Sequence, residues 1–160
     1  MTYQPVVGIN PIYTSGSVTR WHANPDVPAQ TLADHHGRVA QIICYFFPSA
    51  SAPLLYAALH HDCGELMVGD VPSPAKQDEQ LAHFLHLREA IARQEMSIDV
   101  IDHQDPRLTF ADRLEAYTYV AMTRPDLMGQ TQWVTALSDI GQMAEALNVS
   151  HWLVDWFING

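Results

Sequence analysis

The stretch from His61 to Lys76 places His61, Asp62, Glu65, Asp70 and Lys76 within sixteen residues. An imidazole beside a carboxylate is a metal-ligand pair, and a third carboxylate follows three residues further on. Lys76 is the chain's only lysine. Metal ligands, a free carboxylate and a fixed cation suit work on a phosphate ester, whose transition states carry charge on non-bridging oxygens. Two further positions have ligand character. His35 precedes Val39 by four residues and Ile42 by seven, so its imidazole belongs to the apolar stripe of a helix, while its neighbour His36 is expected to point elsewhere. Asp112 enters a helix face that also carries Phe110, Ala116 and Tyr119, where an unpaired carboxylate is costly to bury. Each has a plainer reading: His35 as a hydrogen-bonded core residue, Asp112 as the partner of Arg113 or Arg88 in a salt bridge. Combined, two imidazoles and two carboxylates from three helices form a set suited to Zn, Mn, Fe or Co, with positions left for water. His36 and His60 compete for the two imidazole places.

The elements that must position these residues read as helices. Residues 1–28 hold five prolines or glycines before Pro28 and show no periodicity, so they are expected to be largely irregular, with one helical turn near Gly16 to Trp21. Leu32, His35, Val39, Ile42, Ile43 and Phe46 fall at helical spacing and are stopped by Pro48. Ser51 caps a second helix, with Pro53 in its first turn and His61-Asp62 at its end. Gly64, Gly69, Pro72 and Pro74 predict a loop with at most a short helix inside it. Residues 78 to about 102 predict a long amphipathic helix through Leu81, Phe84, Leu85, Leu87, Ile91 and Ile98. Asp105-Pro106 opens a helix bearing Asp112, Pro125 opens another that runs to about Leu147, and a terminal helix, Ser150 to Phe157, carries Trp152, Trp156 and Phe157. Nothing alternates over strand length, so the class is all-α and a sheet is not expected.

Composition narrows the partners. A length of 160 residues with 48% hydrophobic content supports one core, hence one domain. A net charge of −10 argues against a nucleic-acid polymer or an anionic membrane as partner, because both need a field of Lys and Arg. Cys44 and Cys63 form no CxxC pair, no basic start precedes an apolar run, and no apolar run approaches a membrane span, so the expected compartment is the cytoplasm. His83, His86, His103 and His151 lack a partner pattern and read as surface or structural residues. A P-loop is excluded because Lys76 follows Ser-Pro-Ala rather than a glycine-rich turn.

The order His35, then His61-Asp62, then Asp112 resembles the H…HD…D series of the HD-domain phosphohydrolases. More narrowly, His61 to Lys76 is similar to the HD-x-x-E-x-x-x-GD-x-P-[ST]-P-x-K signature of the HD-type 5′-deoxynucleotidases, and Arg20-Trp21 matches the Arg-Trp that precedes their first metal histidine. The compact length and the fourteen residues from Trp21 to His35 look like the bacteriophage dATP triphosphohydrolases. The resemblance implies a single HD domain over 1–160, a compact bundle of about five to seven helices, to which the N-terminal segment contributes Arg20 and Trp21. It implies His35, His61, Asp62 and Asp112 as ligands of a divalent transition metal (Zn, Co or Mn), with a second, weaker ion riding on a triphosphate. Glu65, with Asp62, would act in catalysis, and Arg20, Trp21, Asp70, Ser73 and Lys76 would bind substrate. Glu65 as a solvated loop residue, Lys76 as a surface cation, Trp21 as a core residue and Asp70 as a pin for its own turn are the plainer alternatives. The function implied is hydrolysis of dATP to deoxyadenosine and triphosphate, in the host cytoplasm for a phage-encoded chain. The alternatives are a 5′-deoxynucleotidase acting on dNMPs and a non-enzymatic nucleotide-sensing module. Small HD nucleotidases assemble, so a homo-oligomer is expected.

Overall fold

The computed structural model describes residues 10–72, 74–98 and 104–160; Ser73, His103 and the first nine residues lie outside the described residues, as does the expected end of the long helix near Asp102. In chain order the elements are α1 (Pro11–Ser15), β1 (Thr19–Arg20), β2 (Gln30–Thr31), α2 (Leu32–Phe46), α3 (Ala52–His60), α4 (Glu65–Val68), α5 (Glu79–Glu95), α6 (Pro106–Thr123), α7 (Thr131–Ala146) and α8 (His151–Asn159). Single 3-10 turns sit at Ala75–Gln77 and Pro125–Leu127. The class is all-α. The backbone groups into two compact units, made by the described parts of 10–36 with 60–98 and of 37–59 with 104–160.

In the first unit, the N-terminal segment is more ordered than its composition suggests. Its helical turn lies at Pro11–Ser15 rather than Gly16 to Trp21, because Asn10 Oδ1 accepts the Ile12 N–H at 2.9 Å and Pro11 occupies the first helical position. A minimal antiparallel ribbon follows, with Thr19 opposite Thr31 and Arg20 opposite Gln30. It leads directly into α2, whose first backbone donors are taken by Val18 O and Gly16 O. The long helix α5 starts where expected, with Asp78 Oδ1 accepting from Leu81 N at 2.9 Å. It stops earlier than expected, at Glu95. Ser97 adopts a left-handed φ of 56°, and the Ile98 and Ser97 N–H groups close back onto Arg93 O and Gln94 O. The inward face of α5 also differs from the apolar stripe. Phe84 and Leu87 are 56% and 51% exposed and Leu81 and Ile91 are exposed too, while Leu85, Ala92 and Arg93 are buried. The face turned inward therefore includes polar side chains, for a reason that emerges at the site.

The second unit holds most of the apolar core. The α2 stripe is buried through Val39, Ile42, Ile43 and Phe46. The Phe46 ring meets Phe110 of α6 edge-on at 5.4 Å, and Tyr117 of α6 meets Trp133 of α7 in the same manner at 6.4 Å. Pro125 begins only a 3-10 turn, and the helix proper waits for Thr131. In α8, Val154 is buried and Phe157 packs against Tyr45 and Phe46, whereas Trp152 and Trp156 face outward. Among the described residues no helix is long and apolar enough to cross a membrane.

Candidate metal centre

Two imidazoles converge on one carboxylate in the first unit. His35 stands in the first turns of α2 and is fully buried; His61 and Asp62 lie in the turn just past the end of α3, one residue beyond the helix the sequence assigns them to. His61 Nε2 is 3.2 Å and His35 Nε2 is 3.5 Å from Asp62 Oδ2. One ligand atom from each of the three lies within 4.8 Å of the others. These separations exceed those of a charge-assisted hydrogen bond and suit ligand atoms facing a common centre. The donor set, two imidazole nitrogens and a hard oxygen, fits a divalent transition metal.

His36 corrects an expectation. Its ring lies 4.9 Å from that of His61 and 5.7 Å from that of His35, and it is buried rather than turned away. Burial, reinforced by the neighbouring His61, lowers its pKa to about 3, so its imidazole is neutral. A signal was present: His36 precedes Val39 by three residues and Ile43 by seven, so one broad stripe carries both histidines. His60 is only half-buried and lies outside the converging ligand set.

Glu65 opens α4, directly after Gly64, and is 3% exposed. It is not a solvated loop residue. Burial raises its pKa to about 9, with Asp62 and Asp70 adding to the rise and Lys76 opposing it. Lys76 Nζ lies 3.7 Å from Glu65 Oε1, and its side chain is 40% exposed. Glu65 Oε2 is buried and has no hydrogen-bond partner among the described residues. The turn before α4 packs tightly on α5: a Cβ on Gly64 would come within 2.6 Å of the Glu89 carbonyl oxygen. From the same helix, Arg93 Nη1 donates to His61 O at 3.4 Å and reaches Glu89 Oε2 at 4.0 Å. This explains the polar inward face of α5, which supports the ligand-bearing turn. Behind that turn, Ser15 Oγ donates to Cys63 Sγ at 3.3 Å.

Arg20 and Trp21 are held by a network that sequence reading missed. Gln30 Oε1 accepts from Arg20 Nη1 at 3.2 Å and from Trp21 Nε1 at 3.4 Å, and Gln30 Nε2 donates to Asp34 Oδ2 at 2.9 Å. The Arg20 guanidinium carbon sits 5.7 Å from the centre of the Trp21 ring, within cation–π range. Trp21 has a φ of 65°, a left-handed conformation rare for a bulky residue and a recurrent mark of functional loops. Asp70 Oδ2 accepts the Trp21 N–H at 3.2 Å, so Asp70 pins that backbone rather than its own turn. Gln30 with Asp34 and Glu89 with Arg93 are each four residues apart, but nothing in the sequence ties these pairs to the site, because Arg20 and Trp21 reach Gln30 through the ribbon and His61 lies 32 residues from Arg93.

Of the remaining expected residues, Ser73 lies outside the described residues, and the loop prolines Pro72 and Pro74 on either side of it are exposed. Asp112 is half-buried in the second turn of α6, in the second unit, beside the buried Ala111, with Arg113 exposed next to it. His83, His86 and His151 are exposed, as their lack of pattern suggests.

No protein-family model and no curated protein sequence matches the chain. A solved structure does: the cyanophage S-2L HD phosphohydrolase DatZ, bound to dA and one catalytic Zn2+ ion, superposes with a TM-score of 0.64 over 94% of this chain and 88% of that one, at 20% identity. The chain therefore has the fold of an HD phosphohydrolase.

Proposed function

We propose that the chain is a single HD domain that hydrolyses deoxynucleotides with a divalent metal, preferring dATP, which it splits with water into deoxyadenosine and triphosphate. The observation that carries the reading is the convergence of His35, His61 and Asp62 beside a buried Glu65. Asp112 is the proposed fourth ligand, from its place in the H…HD…D order. A divalent cation at this set supplies, when bound, Lewis acidity toward water and a phosphoryl oxygen.

The residues divide the remaining work. In the metal-free chain burial pushes the Glu65 pKa up to about 9, so it holds a proton there at neutral pH, and Oε2 is the atom with no hydrogen-bond partner among the described residues. In this reading Oε2 delivers that proton to the departing 5′-oxygen. Lys76 and Arg20 face the charge on non-bridging oxygens, with Arg113 a third candidate. Trp21 offers a flat wall to deoxyribose or base, where a ribose 2′-hydroxyl would crowd. Asp70 keeps that wall in place through the Trp21 N–H, and Ser73 is the remaining proposed substrate contact. The likeness to a protein solved with dA supports the choice of adenine. Exposed Trp152 and Trp156 on α8 support assembly into a homo-oligomer.

Incubating the purified chain with Co2+ or Zn2+ and a panel of dNTPs, dNMPs and NTPs, with nucleoside, phosphate and triphosphate resolved, tests the reading. The expected result is triphosphate and deoxyadenosine from dATP, abolished in His61→Ala. Monophosphate released only from dNMPs would shift the assignment to a 5′-deoxynucleotidase. Absence of any hydrolysis would favour a sensing module.

A further inference from the structure

We propose that Gln30 is a positioning residue: its carboxamide fixes Arg20 and Trp21 in one pose and ties that pose to the head of the ligand-bearing helix α2. Its effect on catalysis rests on the function proposed above; its effect on the pose does not. Gln30 is 3% exposed and lies directly opposite Arg20 in the ribbon, so the two side chains project from the same face. Its oxygen serves two donors, Arg20 Nη1 and Trp21 Nε1, and its nitrogen serves Asp34 Oδ2. Guanidinium and indole N–H groups only donate, and a carboxylate only accepts. The amide therefore has one orientation that satisfies all three, and its flip would set nitrogen against two donors and oxygen against a carboxylate. Asp34 is the residue before His35 and belongs to the first turn of α2, where a negative charge is favoured by the helix dipole. Asp34 thus anchors the amide to the backbone that carries the first ligand. A buried side chain meeting a cation, an aromatic donor and an acid is more specific than packing requires, since a hydrocarbon of equal volume would fill the space without polar partners.

The test uses the full chain with Zn2+. Amide and indole NMR spectra hold four tryptophan indole signals, and that of Trp21 is identified by its loss in Trp21→Phe. Gln30→Met, close in volume but without donor or acceptor, is expected to move the Trp21 signal while leaving those of Trp133, Trp152 and Trp156 in place. It should lower kcat/KM on dATP by about tenfold or more, as misplaced binding groups do. Gln30→Glu alone, which sets a second carboxylate against Asp34, is expected to do the same. Combining Gln30→Glu with Asp34→Asn reverses the polarity of the 2.9 Å bond and keeps an acceptor for Arg20 and Trp21, so it should return kcat/KM to within about threefold of the parent. A merely structural glutamine would not show that rescue. An unmoved Trp21 signal in Gln30→Met overturns the proposal, as does a double variant no better than Gln30→Glu. Should Gln30→Met unfold, the two polar variants decide. If the parent hydrolyses no deoxynucleotide, the proposed function fails, and the indole signal alone still decides the role of Gln30.

Discussion

Glu65 is where sequence and environment meet in a single side chain. Its place in the HD-x-x-E resemblance makes it the proton carrier of the proposed reaction, but only its burial says which form it takes in the metal-free chain. A carboxyl raised from 4.5 to about 9 is protonated through the neutral range in the metal-free chain, and in the proposed reaction it serves as the acid. Glu65→Gln keeps the shape and removes the transferable proton, so kcat should fall by about a hundredfold or more with KM little changed. Equal losses in kcat and in substrate affinity would assign Glu65 to binding instead. The sign of the linkage is also fixed. In the metal-free protein the folded state binds more protons than the unfolded chain between pH 4.5 and about 9, so stability carried by the protonated carboxyl is complete below that window and lost as pH rises through it. Urea midpoints of parent and Glu65→Gln should therefore diverge with rising pH, the variant becoming relatively more stable; the reverse trend would refute the raised pKa.

At the scale of elements, helix starts with a capping side chain were legible, whereas Pro125 misplaced the start of α7 and the first helical turn lay earlier than expected. Asp78 and Asp105 cap α5 and α6 at the positions the sequence marks, because a cap is a local bond between a side chain and the next turn. The end of α7 was also legible within a residue, since Asn148 takes the left-handed conformation asparagine tolerates. The end of α5 was not, because Ser97 carries no such sign. The facing of α5 was misread for a different reason: its more apolar stripe is exposed, and the turn at Gly64 with the His61 carbonyl claims the face holding Glu89 and Arg93. Two glycines separate packing from propensity. Gly64→Ala drives a Cβ to within 2.6 Å of α5 backbone and should cost about 2 kcal/mol or more. Gly37→Ala meets nothing within 4 Å inside α2 and should stabilise by about 0.5–1 kcal/mol. Urea denaturation checks both, and similar effects from the two would contradict the close approach of α4 and α5.

For the molecule as a whole, burial is unevenly divided by chemistry. Among the described residues the first unit buries Ser15, Gln30, His35, His36, His61, Glu65 and Arg93, while the second buries Glu115 and most of the large apolar side chains. A cation held by His35, His61 and Asp62 binds the folded chain and not the unfolded one, which does not keep these ligands together, so it adds to stability. Saturating Zn2+ at about a hundred times its Kd should add about 2.7 kcal/mol, or roughly 5–10 °C in Tm for a chain of this size, reversible by a chelator. Differential scanning calorimetry reads the shift, and a shift as large in His61→Ala as in the parent would show that the cluster is not the binding place.

What the sequence determined by itself was the helical class, the order of the ligand-type residues and the reaction they suit. Those follow from periodicity, capping and residue chemistry, all local along the chain. What only the tertiary structure decided was which side chains stand together: His36 beside His61, Lys76 against Glu65, Asp70 on the Trp21 backbone, Gln30 between Arg20 and Asp34, and Arg93 behind His61. The physical reason is distance along the chain. A periodic pattern reports that a side chain is buried, but its partner, its pKa and its orientation depend on groups tens of residues away that only packing brings near.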